Sequence, residues 1–203
     1  MQVDIDHVLF WIDAIRSSDD RYRTLESFWK GQIKSKIWLI DNLTAHVASN
    51  SNNIVIHGGW NGVLASLIFQ STIQTNKIVS IDIDPKCEEI ARTMNKIEDI
   101  SGKFEAITCS MDEYQYKFFP DIVINTSCEH ITQETYDKWL KNIPRGAIIV
   151  LQSNNYFELE EHIRCVNSIS EFEDQSNIMV ISSATLELPK YNRFMLIGYR
   201  NNV

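Results

Sequence analysis

Three stretches of the 203-residue chain carry groups that can hold a ligand or move a proton. The first is the turn Gly58-Gly59-Trp60-Asn61-Gly62, set between the apolar run Ile54-Val55-Ile56-His57 and the helix-forming Val63-Leu64-Ala65. Glycine admits positive φ angles and lets a ligand approach the main chain, and the free N–H groups of a following helix attract an anionic or polar ligand. The second is Asp82, which closes the run Lys77 to Asp82 about 20 residues beyond the turn, where a carboxylate can accept both hydroxyls of a ribose. The third is Asn125-Thr126-Ser127-Cys128-Glu129-His130, which follows another apolar run. An unperturbed imidazole changes charge near neutrality, so His130 suits a general base, and Glu129 can orient it or hold a substrate. A second reading makes Glu129 and His130 only the approach to a helix capped by Thr132, with Glu134 favouring its positive end.

These stretches need elements to position them. From Asn53 onward, short β-branched runs alternate with longer amphipathic segments, the pattern of parallel strands joined by crossover helices. The spacing predicts strands at 54–57, 78–82, 104–108, 121–125 and 146–151, with helices at 62–73, 85–98, 132–142 and 157–169. Asp84 and Pro85 supply an N-cap and a first helical residue for the second of these helices. Two further β-rich runs, 178–187 and 193–199, are separated by a loop that suits a hairpin. The expected fold is α/β, a doubly wound, seven-stranded, mostly parallel sheet whose last strand is antiparallel. In such sheets ligands bind outside the carboxyl ends of the strands, which places the segment from Asn125 to His130 beside the site. Residues 1–50 show helical spacing at Val8, Trp11, Ile12 and Ile15, and again at Leu25, Phe28, Trp29, Ile33 and Ile37. They read as two or three helices forming a cap, with 51–203 as one compact unit. Trp11, Tyr22, Phe28, Trp29 and Trp38, interleaved with Arg16, Arg21, Arg23 and Lys30, either line a substrate lid or pack into the core with their charges outside.

Composition narrows the function classes. With 44% hydrophobic and 23% charged residues the chain is an ordinary globular one. It lacks an apolar run of the ~20 residues needed to cross a bilayer and a secretory-type start, so a cytoplasmic protein without a membrane partner is expected. Cys87, Cys109, Cys128 and Cys165 form no C-x-x-C pair and no paired histidine spacing accompanies them, so neither a zinc site nor a disulfide framework is expected, and no metal. A formal charge of −8 argues against an extended nucleic-acid face, although it allows a local basic groove.

Glycine turn, acid and following strands together resemble the class I, Rossmann-like, S-adenosylmethionine-dependent methyltransferases over roughly residues 53 to 200. Gly58-Gly59-Trp60-Asn61-Gly62 stands where that family has its glycine loop. Ser80-Ile81-Asp82-Ile83-Asp84 resembles its second motif, and Pro120-Asp121-Ile122-Val123-Ile124-Asn125 its fourth strand. The resemblance implies S-adenosyl-L-methionine as cofactor, bound by Gly58, Gly59, Trp60, Gly62, Asp82, Ile83 and Asn125. It also implies Met111 against the adenine and Asp112 accepting from the adenine amino group; the other reading of Asp112 is the cap of a short helix. Glu129-His130 is similar to the Glu-His pair after the fourth strand in many small-molecule methyltransferases, which makes His130 and Glu129 the implied catalytic residues. The implied reaction is in-line methyl transfer to a small molecule.

Two positions depart from the family. Ile56 stands where an acid usually lies two positions before the first loop glycine, and Trp60 replaces the middle glycine. Trp60 either walls the pocket or packs over the loop, and His57 reads as a packed histidine rather than a catalyst. The absence of an Asn/Asp-Pro-Pro-Tyr/Phe segment after the fourth strand argues against exocyclic amino groups as acceptors, and Cys128 alone does not make a covalent nucleophile. Two alternatives use the same loop: a non-catalytic cofactor-binding or regulatory module of this fold, and an NAD-dependent oxidoreductase. The terminal hairpin and the lack of a glycine at His57 count against the second.

Overall fold

A computed structural model describes residues 3–47 and 51–201. The β-branched runs become the strands β1 (Asn52–His57), β2 (Thr75–Asp82), β3 (Phe104–Thr108), β4 (Ile122–Asn125), β5 (Ile148–Asn154), β6 (Ile178–Glu187) and β7 (Asn192–Arg200). They form one seven-stranded sheet in the order β3-β2-β1-β4-β5-β7-β6. This is the expected doubly wound α/β sheet, parallel through its first five strands, with β7 running antiparallel to both β5 and β6. Ile54, Val55, Ile56, Val123 and Ile124 are wholly buried, because helices cover both faces of a parallel sheet and each strand must be apolar throughout. At about 1.5–3 kcal/mol for each such side chain, burial of these runs outweighs any single polar contact in the fold. Strand β6 shows the opposite pattern, with burial alternating along its length as befits an edge strand.

The chain divides into two compact units, Met1–Ser110 and Met111–Val203. The first holds α1 (Ile5–Ser17), α2 (Arg21–Glu26) and α3 (Lys30–Thr44), so the amino-terminal segment does form three helices. It also holds α4 (Val63–Phe69), α5 (Lys86–Met94) and α6 (Lys96–Ile100) around β1, β2 and β3. Helix α1 packs along α5, and specific polar contacts fix it. The Trp11 indole N–H donates to Ser66 Oγ at 2.9 Å, and His7 Nε2 lies 3.1 Å from Glu98 Oε1. Trp11 and Phe28 meet at 5.5 Å between ring centres and are half-buried, whereas Tyr22 and Trp29 are exposed.

The helix expected over 85–98 is interrupted. Asn95, at φ −114° and ψ 37°, ends α5, and its buried amide donates to the carbonyls of Ala91 and Gly62. An asparagine side chain competes for backbone partners in this way and disfavours a continuous helix.

The second unit contains a 3₁₀ turn (Cys128–His130), α7 (Gln133–Asn142), α8 (Ile169–Ser176) and the strands β4 to β7. Its core gathers Tyr136, Trp139, Phe172 and Leu196, with the Arg164 guanidinium lying 4.2 Å over the Tyr136 ring. The helix expected over 157–169 does not form; residues 155–168 are turns and bends, and the helix starts at Ile169. The N–H groups that such a helix would use are taken elsewhere, Arg164 N–H by the Glu129 carbonyl at 2.9 Å and Val166 N–H by the Asn154 carbonyl at 3.0 Å. The observed start has its own signal in Ser168-Ile169-Ser170-Glu171, where Ser168 Oγ accepts from Glu171 N–H. Among the described residues no helix is long and apolar enough to cross a membrane.

Candidate functional site

In the first unit the glycine turn is built from main-chain stereochemistry. Gly58 and Gly62 sit at φ 66° and 77°, and Gly59 bonds to the Ile81 carbonyl while lying against β2. A Cβ on Gly59 would fall 1.9 Å from Ser80 Oγ, so any side chain there forces the Ser80 hydroxyl to move. Trp60 adopts φ 48°, holding a left-handed conformation that costs a bulky residue roughly 1–3 kcal/mol and persists only where its surroundings impose it. Here the imposing group is Asp82. Its Oδ2 accepts the Trp60 N–H at 2.8 Å and its Oδ1 accepts the Asp84 N–H at 3.0 Å.

An ionised carboxylate has about four acceptor sites, so both Asp82 oxygens keep a lone pair for further hydroxyl donors. Beside them Ile83 is 72% exposed, an apolar surface at the edge of the carboxylate. Trp60, Ser80, Asp82, Glu88, Ala106 and Thr108 line a small pocket. Asp84 takes the structural part expected of it, accepting the Lys86 N–H at 3.0 Å and pairing with Arg23 at 2.6 Å. The Lys86 hydrogen bond first, and then Arg23, hold its carboxyl below the usual carboxylate range.

Two buried groups near the turn are inert. Burial pushes the His57 imidazole down to about 3, so it is neutral and packed, as expected. Burial, with Asp82 and Asp84 adding to it, pushes the Cys87 thiol up to about 12. Asn95 is the residue that sequence reasoning missed in this unit. It grips the Gly62 carbonyl from α5, and its signal was a polar residue on the buried face of an expected helix.

In the second unit Asn125 is wholly buried; its amide donates to Met111 Sδ at 3.5 Å and its Oδ1 accepts the Ser127 N–H at 2.9 Å. That brings Met111 and Asn125 together and commits the Asn125 side chain to the chain itself. Asp112 lies in a turn with no helix after it, which removes the cap reading, and its carbonyl accepts from Asn142.

Glu129 and His130 are neighbours in sequence, and their side-chain hydrogen bonds go to different partners. Glu129 is 2% exposed, and its Oε1 receives Arg193 Nη1 at 2.5 Å and Asn154 Nδ2 at 2.7 Å. Arg193 also donates to the Thr126 carbonyl and, at 3.4 Å, to Gln152. Glu129 therefore does not orient His130. That ring is exposed, with Nδ1 3.2 Å from the Glu161 carbonyl and its edge against His162, the ring centres 4.7 Å apart. Thr132 caps α7 as expected, accepting the Thr135 N–H. Cys128 is buried and its thiol is pushed up to about 12, which removes it as a nucleophile. Arg193 and His162 were not found from sequence; a cation just inside the start of a largely apolar strand was the available sign of Arg193.

No protein-family model and no curated protein matches this chain. Solved structures do. The N-methyltransferase NodS of Bradyrhizobium japonicum WM9, in complex with S-adenosyl-L-homocysteine, superposes with a TM-score of 0.68 at 10% identity, over 95% of this chain and 99% of its own. The magnesium protoporphyrin IX methyltransferase ChlM of Synechocystis PCC 6803, with bound S-adenosylmethionine, gives 0.65 at 15% identity over 98% and 99%. A geranyl diphosphate methyltransferase in complex with geranyl diphosphate and sinefungin gives 0.63 at 10% identity over 84% and 78%. The fold is thus the class I methyltransferase fold that the motifs led us to expect.

Proposed function

We propose that this chain is an S-adenosylmethionine-dependent methyltransferase that acts on a small molecule by in-line displacement. The observation that carries the reading is the Asp82 carboxylate, clamped by the Trp60 and Asp84 N–H groups at the lip of the glycine turn with lone pairs left for two ribose hydroxyls. The exposed Ile83 beside it suits the face of a purine, and the turn's positive φ angles leave the main chain open to the cofactor. Met111 and Asp112 are assigned to the adenine end on the resemblance. The buried Ile56 supplies no charge to the methionine end, which falls to main-chain groups of the turn.

The cofactor supplies an electrophilic methyl on a sulfonium. The protein's work is to hold an acceptor in line with it and to exclude water, and positioning of this kind can supply about 7–11 kcal/mol of a barrier. Glu129 has no part as a base, since its charge is paired with Arg193. A net charge of −8 and the small-molecule acceptors named for ChlM and for the geranyl diphosphate enzyme support a small, non-nucleic-acid acceptor. Four free cysteines suit the reducing cytosol.

Isothermal titration with S-adenosylmethionine, S-adenosylhomocysteine and NAD tests the reading. The first two bind, and Asp82→Ala weakens them roughly 100-fold, as expected for losing two hydrogen bonds to a charged group. Binding of NAD alone would instead make the chain an oxidoreductase, and binding of none a non-catalytic module of this fold.

A further inference from the structure

From the second unit we infer that Glu129, His130 and His162 form a binding site for one divalent transition-metal ion, with Zn²⁺ as the ion best suited to the donor set. The ligand atoms of the three residues all lie within 4.8 Å of one another. Two imidazoles and one carboxylate are a donor set that zinc takes in sites which keep a position open for water or substrate. Ligands bound to zinc at ~2.0–2.1 Å stand roughly 3.3 Å apart. The present spacing closes to that value through small rotations of an exposed ring (His130) and a half-buried one (His162).

Three features of the surroundings support the site. First, both imidazoles have one nitrogen already engaged by a carbonyl, His130 Nδ1 by Glu161 at 3.2 Å and His162 Nδ1 by Tyr156 at 2.6 Å. A carbonyl only accepts, so Nδ1 carries the hydrogen and Nε2 carries the lone pair in each ring. That outer hydrogen bond fixes the tautomer a metal-binding histidine needs. Second, Glu129 Oε1 accepts from Arg193 and Asn154, while the buried Oε2 has no hydrogen-bond partner among the described residues. A buried carboxylate oxygen left unpaired costs free energy, and coordination to a cation relieves that cost. Third, Arg193 and the buried Arg164 oppose a cation, but Glu129 balances the first, and the exposed Glu158, Glu160 and Glu161 in the same segment outnumber the second.

Coordination takes the neutral imidazole and the ionised carboxylate, so the ion competes with protons for its ligands. The site was not legible in the sequence because its histidines lie 32 residues apart, one in the 3₁₀ turn and the other in a stretch that resembled a helix. If the methyltransferase reading holds, the ion's open positions lie beyond the carboxyl ends of β4 and β5, where such sheets bind their ligands. This deepens that reading: the acceptor class becomes one with an anionic or chelating oxygen that can coordinate the ion.

The test uses untagged, metal-stripped full-length protein. Titration with Zn²⁺ by calorimetry, and with Co²⁺ followed by its visible absorption, gives one ion per chain. His130→Ala and His162→Ala, each checked for an unchanged thermal melt, weaken both ions at least tenfold and remove the tetrahedral Co²⁺ bands. Failure of the wild-type protein to bind either ion stoichiometrically, or equal affinity in both folded variants, overturns the site. S-adenosylmethionine titrated into the same metal-free sample reads the cofactor pocket separately, so loss of one reading is distinguished from loss of the other.

Discussion

The glycine turn of the first unit and the Glu129 region of the second are both organised around one carboxylate, but by different physics. Asp82 is half-exposed and accepts two backbone N–H groups from residues close to it in space, so its turn is a main-chain structure that water could partly substitute. Glu129 is buried, and its counter-charge arrives from the start of β7, far along the chain. Glycine stereochemistry shapes the first region at a cost of tenths to a few kcal/mol; a desolvated ion pair shapes the second, where removing one partner leaves an uncompensated buried charge. The lesson is that the glycine turn can tolerate local change, whereas the Glu129 region stands or falls as a set.

The largest expected effect follows from that contrast. Arg193→Ala strands the Glu129 charge and lowers stability by about 3–5 kcal/mol in urea unfolding, while Arg193→Met with Glu129→Gln recovers most of the loss. Equal losses in the single and double variants would show that the charge itself is not what matters.

Acid reaches the first unit through His57. Its folded-state value of about 3 lies below the unfolded value of 6.5, so as the pH falls through 6.5 the unfolded chain takes up the proton first. The stabilising contribution is complete above pH 6.5 and declines by about 1.4 kcal/mol per pH unit below it, down to about pH 3. His57→Phe should therefore flatten the stability profile between pH 6.5 and about 4.5 relative to the parent chain, as read by unfolding at a series of pH values.

The smallest effect sharpens the account of the turn. Both Trp60→Gly and Trp60→Ala lose the indole, so their difference isolates the backbone at φ 48°. The glycine variant is the more stable of the two by about 1 kcal/mol, the reverse of the usual order. An alanine variant that matches it would mean the left-handed conformation is not kept once the indole is gone.

How far the sequence foretold this molecule depended on the range of the interactions involved. Strands β1 to β5 and the β6-β7 pair were readable because their signal, a β-branched run between turn residues, is local. The Gly58 to Gly62 turn and Asp82 were readable because the residue types they need are dictated by stereochemistry and hydrogen-bond capacity. The 157–169 segment was misread as helix because its apolar spacing is compatible with one; what prevents it is the carbonyls of Glu129 and Asn154 capturing its N–H groups. Arg193 and His162 were missed for the same reason, since their meaning lies in partners on other strands and loops.

Strand β7 bears on how the chain reaches this state. It is the strand between β5 and β6, so until Asn192–Arg200 has left the ribosome, β5 presents an open edge, apolar over Ile148 to Leu151, and β6 has nothing to pair with. Unpaired strand edges of that kind attract other chains. The second unit is thus at greatest risk of aggregation in the interval between synthesis of β5 and arrival of β7, and the Glu129 region acquires its arginine only at the end of that interval.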